Sequence, residues 1–260
     1  MTLLQVQDLK KVYKSKLGGK DVEALRQVNF QVEKGEFVAI MGDSGSGKTT
    51  LLNIIASLDR PSAGRVIIGG QDLNAISDQD LSKFRRDRLG FVFQDFKLLD
   101  SFNLADNILL PLVLAKTPIS DMQARLRRQA ANLGLQDLLH KYPFELSGGE
   151  KQRGAIARAL ITDPDLVLAD EPTGQLDSYN AQEIMDSFVR IGDQGQTILM
   201  VTHSAKAAAE ASRVLFIRDG VVFAELHRQG KSRLDQMEAI SQLMAQASRR
   251  APASRPSQTR

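Results

Sequence analysis

Residues 36–58 read EFVAIMGDSGSGKTTLLNIIASL. An apolar run meets glycine and serine at its C-terminal end, and helical apolar spacing resumes just after Lys48. The junction, Gly42 to Thr49, satisfies G-x-x-x-x-G-K-[ST] between an expected strand and an expected helix. Glycines there let backbone N–H groups wrap a phosphate chain, a lysine reaches the β- and γ-oxygens, and a threonine hydroxyl can meet Mg²⁺. Gly42, Ser44, Gly45, Ser46, Gly47, Lys48, Thr49 and Thr50 are therefore the candidate ATP-binding residues, with Thr49 also a metal candidate. A mere glycine turn does not require this context.

Similar units recur on both sides. LGFVFQ, DLVLADE and TILMVTH read as buried strands, each meeting polar or glycine residues at its C-terminal end. GGEKQRGAIARAL and SYNAQEIMDSFVRIG carry helical spacing. Strand–turn–helix repetition of this kind predicts an α/β fold whose mainly parallel sheet binds ligands beyond the strands' carboxyl ends. LLQVQDL and LRQVNFQVEKGE alternate, predicting a small N-terminal antiparallel β layer. In VLFIRDGVVFAEL, Asp219-Gly220 between apolar runs signals a hairpin. From about residue 96 to 160 the pattern is mainly helical, an α-helical insertion in which SDMQARLRRQAANLGL opens on a candidate serine cap. The expected layout is an ATPase domain over 1–230, a helix over 231–248 and a basic, disordered tail over 249–260.

The strand ends supply further chemistry. Asp170 in DLVLADE can hold Mg²⁺ through water, and Glu171 can polarise an attacking water as general base. Gln94 can meet the metal or the lytic water, and His203 can hydrogen-bond a γ-phosphate. Tyr13, about thirty residues before the phosphate loop, can stack on adenine, with ordinary packing as its rival role. LSGGEKQR, residues 146–153, is a second candidate anion site, because its serine caps a helix whose glycines admit a phosphate.

Composition narrows the class. The 260 residues carry a net charge of +3, but the last twelve hold four arginines and no acid, leaving the rest at −1. Basicity thus belongs to the tail, and no nucleic-acid partner is expected. Cysteine is absent, which excludes disulfides and thiolate chemistry. No apolar run is long enough to span a bilayer, and the start lacks the layout of a secretory signal.

GDSGSGKTT, FQD, LSGGEKQR, LVLADEPTGQLDS and VTHS, in this order, resemble the nucleotide-binding subunit of an ABC transporter, over about residues 3–226. The resemblance implies a P-loop NTPase core and two subunits packed head to tail. Ser147, Gly148 and Gly149 would then cradle the γ-phosphate held by the partner subunit, with Leu176 and Asp177 touching the opposite chain. It also implies an integral-membrane permease partner, contacting the insertion near Phe96, Leu98 and Leu99, and a place at the cytoplasmic face of the membrane. Within the family, ADNILLPL, VTHSAKAAAEASRVLFIRDG and GKSR are most similar to the bacitracin-resistance type, often accompanied by a sensor histidine kinase. Lipoprotein-releasing and macrolide-exporting ATPases, or a regulator of cell-wall enzymes, are the alternatives. Three positions depart from the pattern: Glu150 where glutamine is commoner, Gln175 where a small residue is common, and Ser204 where an acid often follows the histidine.

Overall fold

The computed structural model describes residues 1–15 and 19–249. Its centre is a six-stranded sheet, ordered β10-β9-β3-β8-β7-β6. The strands are β3 (Phe37–Met41), β6 (Leu89–Val92), β7 (Leu166–Asp170), β8 (Thr197–Val201), β9 (Arg213–Arg218) and β10 (Val221–His227). All neighbours are parallel except β9 and β10. That pair turns through Asp219 and Gly220, both at positive φ (48° and 75°), the backbone a tight hairpin turn matching strand twist requires. A second, antiparallel sheet joins β1 (Thr2–Tyr13), β2 (Val22–Glu33), β4 (Ala63–Ile68) and β5 (Gln71–Asp72).

Strands β3 and β8 are buried at every position, which explains why they read as continuous apolar runs rather than alternating ones. Period-two geometry still divides their side chains. Phe37, Ala39 and Met41 enter the core shared with the insertion, whereas Val38 and Ile40 enter the core between the two sheets. Helix α1 (Lys48–Ile55) fills the latter with Leu51, Leu52 and Ile55. Helix α2 (Asp78–Arg88) covers its margin with only Leu81 and Phe84 buried.

Helices α3 (Leu104–Leu114), α4 (Ile119–Leu133) and α5 (Gly148–Leu160) form the inserted layer, and α6 (Ser178–Asp193) packs against α5. Ser120 does not cap α4. The helix starts at Ile119, with Pro118 as its N-cap and no side-chain cap bond. A proline just ahead of the first turn sacrifices no helical hydrogen bond, so the start can precede the serine. Gly134, at φ 64°, ends it in the left-handed conformation.

After the short α7 (Ala205–Ala208), the last helix, α8 (Arg233–Arg249), seals the core with Ile240. Its Gln236 donates to the Ala211 carbonyl at 3.1 Å, and Arg233 pairs with the buried Glu210 at 2.8 Å. Of the expected tail, 249–260, residue 249 still belongs to α8, and residues 250–260 lie outside the described residues. Among the described residues no helix is long and apolar enough to cross a membrane.

Candidate active site

Parallel pairing sets four strands side by side, β3-β8-β7-β6, with Ile40 opposite Val201, Asp170 opposite Val201, and Val92 opposite Ala169. Their carboxyl ends therefore share one edge. The loops leaving that edge carry Gly42–Lys48, His203, Asp170–Glu171 and Gln94 in spatial order. A groove of about 660 Å³ opens elsewhere, beside Pro164–Asp165 and Gln196–Thr197 at the opposite strand ends.

The phosphate loop is held by close backbone packing. Gly47 sits at φ 103°, and a Cβ there would lie 2.5 Å from the Ala24 carbonyl oxygen. No other residue type fits both limits. Ser44 and Gly45 are exposed at the loop's tip, as is Thr49 in the first turn of α1, and Thr50 is half-buried beside it. Lys48 is buried, and its Nζ donates to the Gly42 and Asp43 carbonyls, both at 2.8 Å. Burial lowers its pKa, opposed by the negative charges of Glu171, Asp43 and Asp170. The Ser46 Oγ is buried without a hydrogen-bond partner. No acid occupies the first turn of α1, so its free N–H groups and dipole are left for an anion.

Opposite stands the acidic pair. Asp170 Oδ1 is buried without a hydrogen-bond partner, and burial, then the charge of Glu171, pushes this carboxyl above the usual aspartate range. A buried carboxylate oxygen with no hydrogen-bond partner, facing a lysine, is a donor that a cation would satisfy, so the donor set fits Mg²⁺. Glu171 occupies the left-handed region at φ 46°, its N–H donating to the Val201 carbonyl at 2.9 Å. The carboxylate meets His203 twice, at Nδ1 (2.9 Å) and at the backbone N–H (3.3 Å). Gln94 lies against the same loop: a Cβ on Gly174 would be 2.9 Å from its Nε2.

Tyr13 is not core. It is 43% exposed, its hydroxyl donates to Asp59 Oδ2 at 2.8 Å, and the Thr50 side chain lies near that hydroxyl. The ring thus stands beside the first turn of α1. Lys11 and Asp59, its neighbours, escaped sequence reasoning because they are 48 residues apart in the chain.

Ser147 caps α5, accepting from the Glu150 N–H at 3.3 Å while Glu150 accepts from the Ser147 N–H at 2.7 Å. This reciprocal pair is a capping box, so the glutamate that departs from the family pattern completes the local structure. Gly148 and Gly149 leave room for the loop before α6 and for α6 itself: added Cβ atoms would lie 3.1 Å from Leu176 Cδ2 and 2.3 Å from Asn180 Oδ1, respectively. Asp177 caps α6 through the Tyr179 and Asn180 N–H groups, both at 3.0 Å. Gln175 is exposed beside it. Ser204 replaces the usual acid but still caps α7, accepting from the Ala207 N–H at 3.2 Å. No hydrogen bond among the described residues joins Ser147–Gly149 to the phosphate loop of the same chain.

Two more polar residues brace the site. Gln152 is fully buried and donates to the Pro172 carbonyl at 2.7 Å. Arg158 donates to the carbonyl of Phe96 at 2.8 Å and to that of Lys97, both residues with positive φ. Their signal is faint: polar side chains among the apolar positions of an amphipathic helix.

The profile of the ABC transporter family matches residues 25–174. An uncharacterized ABC transporter ATP-binding protein of Bacillus subtilis, YvcR, is 48% identical over 229 residues, 88% of each chain. The bacitracin export ATP-binding protein BceA of Halalkalibacterium halodurans is 43% identical, over 90% of this chain and 92% of that one. The dimeric, post-hydrolysis structure of the ATP-binding cassette MJ0796 with ADP and Pi superposes with a TM-score of 0.80 at 37% identity, covering 88% of this chain and all of that one. With the four strand-end loops in place and the match spanning most of its length, the chain belongs to the ABC transporter family, as an ATP-binding cassette whose ATPase activity is coupled to transport.

Proposed function

We propose that this cassette powers a separate membrane permease in bacterial resistance to cell-wall-targeting peptide antibiotics. One observation carries the catalytic part: the orphaned Asp170 oxygen and buried Lys48 lie at the strand edge that also carries Glu171, His203 and Gln94. The cargo class is supported by the bacitracin export relative and by the quoted sequence resemblance.

The γ-phosphate replaces the Gly42 and Asp43 carbonyls as partner of Lys48, whose low-dielectric setting strengthens that contact. The backbone N–H groups of Ser44–Thr49 and the first turn of α1 hold the remaining oxygens. Thr49, Gln94 and Asp170 would hold Mg²⁺, which when bound offsets the charge on the β- and γ-oxygens. Glu171 orients the attacking water and accepts its proton, and His203 steadies Glu171 and reaches the γ-phosphate. Ser147, Gly148 and Gly149 of a second copy close over that phosphate, with Asp177 beside them, so ATP bridges two chains and hydrolysis releases them.

The permease docks on the insertion near Phe96, Leu98 and Leu99 and holds the cassette at the cytoplasmic face of the membrane. A sensor histidine kinase is a further member of such a complex. The test is the purified cassette–permease complex in vesicles, assayed for ATP turnover with bacitracin, a macrolide or a lipoprotein. Bacitracin should stimulate turnover, and Lys48→Ala should lower it by roughly a hundredfold or more. Normal turnover in Lys48→Ala removes the phosphate-loop assignment; stimulation by the macrolide or lipoprotein alone removes the peptide cargo.

A further inference from the structure

The ring of Tyr13 is fixed from two sides. Its hydroxyl donates to Asp59 Oδ2 at 2.8 Å, and the Lys11 ammonium lies over the ring, 4.8 Å from its centroid. Lys11 and Asp59 are themselves paired at 2.6 Å. The pair is tied to Arg60 as well, whose carbonyl accepts from Lys11 at 2.7 Å and whose N–H donates to Asp59 at 2.7 Å. Burial pushes the Asp59 carboxyl up, but the hydrogen bonds from Lys11, Tyr13 and the Arg60 N–H outweigh it and hold it below the usual range. It is therefore an anion, and a strong acceptor, at neutral pH.

The same loop is fastened to the phosphate-binding helix. The Leu58 and Asp59 N–H groups both donate to the Asn53 carbonyl of α1, at 2.8 and 3.2 Å. A nucleotide has a fixed span from base to phosphates, so a base-stacking ring serves it only at a set distance from the phosphate cradle. Asp59 supplies that spacing, because it binds the ring and rides on the helix that begins at Lys48. Lys11 covers one ring face, and the 43% exposure of Tyr13 leaves a surface for a base.

We propose that Asp59 and Lys11 are positioning residues for the nucleotide base, holding Tyr13 so that its open surface stacks on a purine. This rests on the reading of Tyr13 as the stacking residue. A purine offers the larger π surface, so the arrangement favours ATP over CTP.

The test is binding without turnover. Fluorescent ATP is titrated into the full chain in the absence of Mg²⁺ and displaced by ATP, CTP or inorganic tripolyphosphate, which has no base. Asp59→Ala and Lys11→Met should weaken ATP about threefold to tenfold, narrow the ATP-to-CTP ratio and leave tripolyphosphate unchanged. Asp59→Asn, which keeps an acceptor for the hydroxyl, should restore part of the loss and serves if Asp59→Ala does not fold. In a Tyr13→Ala background Asp59→Ala should add nothing. Equal weakening of ATP and tripolyphosphate makes Asp59 a mere brace of α1 and overturns the proposal. So does unchanged ATP affinity in Asp59→Ala while Tyr13→Ala is weakened. Unchanged affinity in Tyr13→Ala fells the stacking itself, and this inference with it.

Discussion

Glu171 shows what one residue's surroundings prepare it to do. Its left-handed backbone costs about 1–3 kcal/mol for a residue with a side chain, and its N–H bond to Val201 and two contacts to His203 hold it there. The result is a half-buried carboxylate aimed by a histidine rather than paired with a lysine or arginine. Glu171→Gln keeps this shape and can still accept from the His203 N–H, but it cannot take a proton from water. Turnover should fall roughly a hundredfold or more, and ATP should then hold the chain as a closed dimer. Gel filtration with ATP checks this; a variant that stays monomeric at saturating ATP overturns the role. Residue types and their offsets were legible in the sequence because the motif fixes them. The left-handed φ of Glu171, the resting contacts of Lys48 and the Asp59–Tyr13 bond were not, because each depends on a partner distant in the chain or on backbone geometry.

Among the elements, α5 is the most informative. Its capping box uses a glutamate, and the Ser147 N–H bond holds the Glu150 carboxyl below its usual range. A depressed carboxyl stabilises the folded chain above the ordinary glutamate range, and that stability is lost as pH falls through the lowered folded value. Glu150→Gln preserves both box contacts without the charge. At neutral pH it should melt about 2 °C below the parent, the effect of one charge at a helix N-terminus. The two curves should converge in acid. A difference that is constant with pH, or absent at neutral pH, refutes the charged-cap account. Buried strands and the α5 and α6 helices were legible because a single face, or every face, is apolar. Helix α2 was not: eleven residues bury only Leu81 and Phe84, too few to set a period. Strands β4 and β5 were missed for a related reason, since six and two residues give little alternation to count.

At the scale of the molecule, the sequence showed that parallel strands deliver their ends to one edge, but not their order, which depends on crossovers. It also posed a puzzle that one chain does not solve. Two candidate phosphate cradles, Gly42–Thr49 and Ser147–Gly149, share no hydrogen bond among the described residues. The second packs instead against Leu176 and Asn180. A cradle whose serine is itself an exposed helix cap, with no phosphate site of its own chain bonded to it, is suited to another copy's nucleotide. The described residues contain no cysteine, nor does the remainder of the sequence, so paired cysteines can report the arrangement directly. Ser44 is the better phosphate-loop position, because it is exposed at the tip whereas Ser46 is buried. Ser44→Cys with Ser147→Cys, made in the Glu171→Gln background, should yield disulfide-linked dimers under mild oxidant when ATP is present, and few without it. To separate linkage within a chain from linkage between chains, each cysteine is also placed alone in one of two differently sized chains. A mixed-size product requires the two cradles to meet across the dimer. A monomer whose own Ser44 and Ser147 positions become joined would place both cradles in one chain and overturn the shared site.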